Sequence, residues 1–443
     1  MQHRIIHTIT RSAIMLSLLL LVNPAIAQRP NIIYIMTDDM GYGDLSCYGN
    51  KNFSTPNLDK LASQGVKFVN AYAAAPVCTP TRTALMTGRY PSRLPLGLLE
   101  PLRNISKDTP FGLTKDIPSL GLLMKASGYE TVLIGKWHLG FKPQHSPTQN
   151  GFDYFFGIHS GGADYISHRG EKGSKPHTYD LYENDSLAYT EGYLTELFSQ
   201  KAVSFIHQQH TKPFLLMVTY NAPHWPWQGP TDVAYPDSMD FTTGGSPAVY
   251  ADMMKSLDDG VGNIMKALNE SHLDSNTIVI FTNDNGGEIY SNTGGLSNTK
   301  MTLWEGGIRV PAFVRWPGNI KAGTTTQQVA ITMDWTATML KAGGAKIDQN
   351  FPLDGIDLMP VLTGKQKTID RTLYWRTFQR SKHKAVREGN WKYLKDEKGE
   401  YLFNITTDPA EKNDLKATEK KRFVKMKVKL AEWEKSVLTP VPL

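Results

Sequence analysis

The chain has 443 residues, 48 basic and 42 acidic side chains, a net charge of +6, 40% hydrophobic residues and two cysteines. This is ordinary globular composition, and it excludes a short-repeat or low-complexity architecture. Much of the positive excess lies on one C-terminal segment, through Lys412, Lys416, Lys420, Lys421, Arg422, Lys425, Lys427 and Lys429. That reads as a solvated helix without a patterned basic face, so no nucleic-acid partner is expected.

Residues 1–27 read as a secretory leader, with Arg4 and Arg11, an apolar core around Ile14 to Val22, and the small-residue site Ala25-Ile26-Ala27. The core is shorter than the roughly 20 residues of a membrane span, and no cysteine directly follows it. An exported protein, periplasmic or secreted after cleavage near Ala27, without a membrane anchor is expected. The remaining length suits a large domain over residues 28–345 and a smaller α+β one over 346–443.

The apolar run Asn31 to Met36 predicts a buried parallel strand, and Thr55-Pro56 opens a helix that Gly65 closes. Val66 to Tyr72 alternates like a strand. A helix from Pro118 to near Gly128 precedes a strand at Thr131 to Ile134. A helix from Tyr193 to His207 precedes the strand Phe214 to Thr219, and one from Ala248 to Leu268 precedes Thr277 to Phe281. Strands alternating with helices predict an α/β fold with a large, mostly parallel sheet sandwiched by helices. From Ala345 the pattern becomes short strands (Arg371 to Trp375, Lys384 to Val386, Trp391 to Leu394) and a charged helix from Thr418, which predicts a smaller antiparallel sheet plus helix.

Four polar clusters follow the C-terminal ends of predicted strands: Asp38 with Asp39, Lys136 with His138, Asn221 with His224, and Asp284 with Asn285. Open α/β sheets bind ligands along that edge. Three carboxylates and an amide oxygen suit Ca²⁺ or Mg²⁺ better than zinc. Each pair taken alone also suits a helix cap or turn.

The run Cys78-Thr79-Pro80-Thr81-Arg82-Thr83-Ala84-Leu85-Met86-Thr87-Gly88-Arg89 places a cysteine at a predicted helix start, with an arginine one turn later. Helix N-terminal N–H groups and the dipole favour anions there. With Cys47 the only other cysteine, the chain offers either one disulfide or a chemically altered Cys78, and each excludes the other.

Cys-x-Pro-x-Arg with its Leu-Met-Thr-Gly tail resembles the signature of the formylglycine-dependent sulfatases, members of the alkaline phosphatase superfamily. Further matches are Gly135-Lys136-Trp137-His138-Leu139-Gly140, Asn221-Ala222-Pro223-His224, Lys300 before Glu305-Gly306-Gly307-Ile308-Arg309, and Tyr401-Leu402-Phe403-Asn404 with Asp408-Pro409 and Glu411. They extend the resemblance over nearly the whole chain after the leader.

The resemblance implies an alkaline-phosphatase-like fold and a sulfuric ester hydrolase in which a maturing enzyme oxidises Cys78 to formylglycine. It implies calcium, with magnesium the alternative, on Asp38, Asp39, Asp284, Asn285 and position 78. It gives Arg82 and Lys136 the holding of charge, His138 the role of base, and His224 with Lys300 the leaving oxygen. Glu305 and Arg309 read as structural. Loop residues His159, Asp164, His168, Arg169, His177, Trp225 and Trp227, with Arg380 and His383, are candidate contacts for a sulfated carbohydrate. Two alternatives stand beside this reading: a phosphatase or phosphonate monoester hydrolase of the same superfamily, and a non-catalytic binder of sulfated glycans.

Overall fold

The computed structural model describes residues 29–440 apart from 106, 109, 171–177 and 237–238; the leader and His177 lie outside the described residues. Ten strands form the large sheet: β1 (Asn31–Thr37), β2 (Val66–Tyr72), β3 (Glu130–Lys136), β4 (Tyr154–Ile158), β5 (Leu181–Glu183), β6 (Ser186–Leu187), β7 (Phe214–Thr219), β8 (Thr277–Asn283), β9 (Arg309–Arg315) and β10 (Thr324–Ile331). Their order is β10-β2-β9-β8-β1-β7-β3-β4-β5-β6. The run β8-β1-β7-β3-β4 is parallel throughout, while β9 lies antiparallel between β2 and β8.

Every residue of β1 is buried, because helices cover both sheet faces. Side chains alternate across a strand. Ile33 and Ile35 therefore join the cluster containing Phe198, Ala202, Met253 and Leu257, from helices Leu194–Ile206 and Pro247–Glu270. Ile32, Tyr34 and Met36 join Met124, Trp335 and Met339, from helices Leu120–Ala126 and Thr332–Ala342. Each fully buried side chain of this kind contributes roughly 1.5–3 kcal/mol.

The register sets where the strands stop. Thr37 pairs with Asn283, Met36 with Thr219, and Gly135 with Thr219, so β1, β3, β7 and β8 end at one level. The four polar clusters leave from that level, as the sequence predicts. Gly135 and Gly157 face each other in β3 and β4; a Cβ on Gly157 would lie 1.8 Å from Gly135 O, and one on Gly135 would lie 2.0 Å from Thr219 O. Only glycine permits these approaches, which seat the end of β3, and with it Lys136, closely between β7 and β4.

A second sheet, β11 (Thr372–Arg376), β12 (Lys384–Glu388), β13 (Trp391–Lys395) and β14 (Glu400–Asn404), is an antiparallel meander covered by helix Lys420–Glu434. Its Leu373 and Trp375 pack with Tyr72, Ala74 and Tyr90 of the large domain. At this junction the fully buried Lys392 ammonium lies 2.9 Å from Glu305 and 2.8 Å from Glu411, while Tyr72 Oη donates to Glu305 at 2.6 Å. Glu305 and Arg309 thus form part of the structural joint. Among the described residues no helix is long and apolar enough to cross a membrane.

Lys392→Ala would leave two buried carboxylates without their shared cation. The expected cost is about 3–5 kcal/mol, read as a lower denaturant midpoint than the parent protein's.

Candidate active site

Cys78 begins the helix Cys78–Thr87, all ten residues of which are buried. Pro80 suits the first turn because its missing N–H would have no helical partner there, and Gly88 ends the helix at φ 65°. The threonines do not cap it. Thr81 Oγ1 donates to Ala75 O at 3.0 Å and Thr79 Oγ1 takes the Leu102 N–H at 3.1 Å, so their hydroxyls are used to join the helix to neighbouring loops. Cys47 and Cys78 are both free thiols, which sets the disulfide alternative aside.

Arg82 reaches across the strand ends. Its Nη2 donates to Asp38 Oδ2 at 3.0 Å and Asp284 Oδ2 at 3.3 Å, and its Nη1 to Lys136 O at 2.8 Å. Lys136 Nζ donates to the same Asp38 oxygen. Lys300 Nζ donates to Asp39 Oδ2 at 2.6 Å and to Glu288 Oε2 at 3.3 Å. His224 Nε2 lies 3.6 Å from Asp39 Oδ2, and Asn285 Nδ2 donates to Asp39 Oδ1 at 2.7 Å. Residues from the ends of β1, β3, β7 and β8, the helix start and a distant loop thereby meet in one buried cluster.

Electrostatics assigns each group a charge state. Burial raises the Asp38 carboxyl, but Lys136, His224, Arg82 and Lys300 outweigh it and hold it well below the usual carboxylate range. Asp39 is also held low, burial being overcome by Lys300 and His224. Asp284 is pushed up to about 7 by burial and by Asp38. Burial pushes the Cys78 thiol up to about 11 against the pull of Lys136, so it stays protonated near neutrality. Burial lowers Lys300, yet Asp39 and Glu288 raise it well above an ordinary lysine. His224 is lowered to about 4, and His138 falls well below its usual value, burial being the main cause for both.

The two imidazoles are held in defined tautomers. His138 Nε2 lies 2.8 Å from Leu102 O and His224 Nδ1 lies 2.6 Å from Trp225 O. Carbonyls only accept, so each of those nitrogens carries the proton. His138 Nδ1 and His224 Nε2 therefore offer lone pairs. Asp38, Asp39 and His224 place one ligand atom each within 4.8 Å of one another, a spacing that can hold a metal ion. Asp38 Oδ1 and Asn285 Oδ1 are buried oxygens with no protein donor, a feature that suits a hard cation.

The other sequence-predicted residues separate into scaffold and surface. Asp164 accepts from the N–H groups of Ile166, Ser167 and Tyr235 and from Gln228 Nε2, so its oxygens tie their own loop to the segment 228–235. His168 uses Nε2 on Gly192 O at 2.7 Å and Nδ1 on Tyr179 Oη at 3.2 Å. His159 packs against Phe155 and Tyr182, and Trp227 against Tyr290. His383 accepts the Leu303 N–H at 3.2 Å and meets Glu397 Oε2 at 2.7 Å. Trp225 is half-buried against the His224 ring at 4.2 Å, while Arg169 and Arg380 are exposed.

Sequence reasoning missed Glu288, whose position just after Asp284-Asn285-Gly286-Gly287 was its only local signal. It also missed Tyr165, whose hydroxyl lies 2.9 Å from Asn221 O and 2.8 Å from His224 O and steadies that turn.

The family model described as "Sulfatase" matches residues 30–345, and that of "N-sulphoglucosamine sulphohydrolase, C-terminal" matches residues 297–436. This chain belongs to the sulfatase family. Sulfatases are sulfuric ester hydrolases, and the fold is the alkaline-phosphatase-like one. The chain is 35% identical to N-acetylgalactosamine-6-sulfatase of Mus musculus over 389 residues, covering 82% of this chain and 71% of the relative. It is 33% identical to human arylsulfatase A over 417 residues, covering 87% and 78%. Its structure superposes on that of Ps i-CgsB with a TM-score of 0.84 at 31% identity, covering 94% of this chain and 95% of the other. The same protein was also solved in complex with k-i-k-neocarrahexaose, where the TM-score is 0.83.

Folding lowers the His159 pKa from 6.5 to about 4 through burial. The unfolded chain therefore takes up this proton first, so the contribution of a neutral His159 is full above pH 6.5 and is lost as pH falls toward 4. Urea midpoints of this sulfatase should drop across that window, and His159→Gln should show a shallower drop.

Proposed function

We propose that this sulfatase is an exported enzyme that removes sulfate from a sulfated carbohydrate, using formylglycine made from Cys78 and a calcium ion, with magnesium the alternative. The observation that carries this reading is one buried cysteine at a helix N-terminus, under the charges of Lys136, Asp38, Lys300 and Asp284. The leader supports export, and oxidation of Cys78 requires a maturing enzyme as partner. The sulfated carbohydrate is supported by the names of the relatives and by the oligosaccharide bound to Ps i-CgsB. Half-buried Trp225, against the His224 ring, offers an aromatic face for such a substrate, and exposed Arg169 and Arg380 are assigned as its cations.

Asp38, Asp39, Asp284 and Asn285 would hold the ion. Its all-oxygen donor set, with the unpartnered Asp38 Oδ1 and Asn285 Oδ1, fits Ca²⁺ or Mg²⁺. The ion supplies positive charge for the sulfate oxygens. Formylglycine, as its hydrate, supplies a hydroxyl nucleophile where the protonated thiol offers none. Arg82 and Lys136 hold negative charge at the helix start and fix the nucleophile's surroundings. Lys300 keeps its proton and therefore presents a permanent cation to the leaving oxygen. His224, neutral with its proton on Nδ1, presents Nε2 only as an acceptor, which binds the hydroxyl of the alcohol product. His138, neutral with its lone pair on Nδ1, is the base that accepts the nucleophile's second proton.

Intact-mass analysis and matched ester pairs test the reading together. The native protein should carry the lighter formylglycine at position 78 and release sulfate in preference to phosphate; an unmodified active protein or a phosphate preference refutes it. Chelation should abolish turnover, with Ca²⁺ restoring it. Lys300→Ala should lower kcat/KM by about 10²–10³-fold on a sugar sulfate, and by less on a nitrophenyl sulfate, whose leaving oxygen needs no cation.

A further inference from the structure

The turn between β11 and β12, residues 377–383, is braced within itself and tied to both sides of the site. The Thr377 N–H donates to His383 O at 2.9 Å, the His383 N–H to Thr377 Oγ1 at 3.1 Å, and Ser381 Oγ lies 2.9 Å from Thr377 Oγ1. On one side Ser381 Oγ donates to Met301 O at 2.8 Å and the Leu303 N–H donates to His383 Nδ1 at 3.2 Å, which fixes the segment that carries Lys300.

On the other side stands Glu100, only 8% exposed. Its carboxylate accepts the N–H groups of Phe378 at 3.0 Å and Gln379 at 2.8 Å, and Gln379 Oε1 accepts the Glu100 N–H at 2.9 Å.

Two residues beyond Glu100, Leu102 enters the site. Its carbonyl takes the proton of His138 Nε2 at 2.8 Å, and its N–H donates to Thr79 Oγ1 at 3.1 Å, next to Cys78. Thr79 Oγ1 in turn donates to His138 O at 3.4 Å. His138 itself sits at φ 57°, an uncommon conformation for a non-glycine residue that its surroundings must hold. The Leu102 carbonyl decides which ring nitrogen is protonated and where the free one points. Leu102 is anchored by Thr79 on one side and, through Pro101, by Glu100 on the other.

We propose that Glu100 is a positioning residue for ester cleavage: by clamping the 377–383 turn it fixes the Leu102 carbonyl and, through it, the tautomer and aim of His138. The antiparallel sheet thereby enters the chemistry without touching substrate. The inference rests on the reading of His138 as the base.

The test uses the full chain. Histidine ¹⁵N–¹H spectra of the unmatured Cys78 protein report the tautomer, and steady-state kinetics of the matured protein on a small aryl sulfate report turnover. Glu100→Gln leaves one oxygen for both N–H groups and sets its NH₂ against the Phe378 N–H, which lies 3.1 Å from the second carboxylate oxygen, and should lower kcat by about tenfold or more while KM stays within about twofold. It should also shift His138 from its Nε2–H form, with Glu100→Asp restoring part of both effects.

Arg93→Ala, which breaks the Arg93–Asp354 pair at 2.7 Å, serves as the structural control and should lower Tm without either change. If Glu100→Gln fails to fold, Gln379→Ala, which removes the reciprocal contact, carries the same expectation. A fall in Tm with kcat and the His138 signal unchanged overturns the proposal. Activity surviving in His138→Ala would instead remove the base assignment, while a tautomer shift in Glu100→Gln would still support the clamp.

Discussion

Burying carboxylates is the constraint on which the rest of this structure depends. Asp38, Asp39 and Asp284 are at most 2% exposed, and an unpaired buried carboxylate would simply take up a proton. Arg82, Lys136 and Lys300 prevent this for Asp38 and Asp39, and each comes from a different part of the chain. Arg82 comes from the helix that starts at Cys78, Lys136 from the end of β3 where Gly135 packs closely on β7, and Lys300 from the loop held by the second sheet. Charge balance at one point thus dictates the packing of several elements. Asp284, pushed up to about 7, marks where the counter-charge is thinnest and where an added cation has most to gain.

The parallel strands were legible because a strand buried on both faces reads as a continuous apolar run. Phe214 to Thr219, buried at every residue, has the same bounds in sequence and structure, whereas Val66 to Tyr72, only partly buried, was legible by its alternation. The polar clusters at the strand ends were legible for the same reason, since polarity there contrasts sharply with what precedes it. β9 was not legible, because Pro311 interrupts Arg309–Arg315 and proline argues against a central strand. The irregularity is absorbed by neighbours. β2 shifts register between Phe68 and Ala71, and Tyr48 Oη lies 2.8 Å from both Phe68 O and Ala312 O and accepts the Ala312 N–H at 3.0 Å. β4 was missed because Gly157 weakens a five-residue pattern whose meaning lies in the adjacent strand.

At the site, residues carried by a motif were found and residues defined by distant partners were not. Arg82, Lys136 and His138 announce themselves through their neighbours in sequence. Glu100 has no such signal, because its partners Phe378 and Gln379 are nearly three hundred residues away. Among the loop candidates, sequence showed chemistry-bearing side chains but not how they are used. Asp164 and His168 spend theirs on tying neighbouring loops together, with the partners that buried polar groups usually find. Arg169 and Arg380 remain at the surface.

The 2% exposure of Cys78 has a consequence in time. Once the helix is seated between the strand ends and residues 100–102, a second protein has no route to that thiol. An enzyme that oxidises Cys78, as proposed above, would therefore have to reach it before the domain closes. On the proposed oxidation of Cys78, conversion and folding would compete for the same segment of chain, and the yield of altered protein would be a ratio of two rates. Mutations that speed closure of the domain would leave more molecules permanently unconverted, even though each of them is correctly folded.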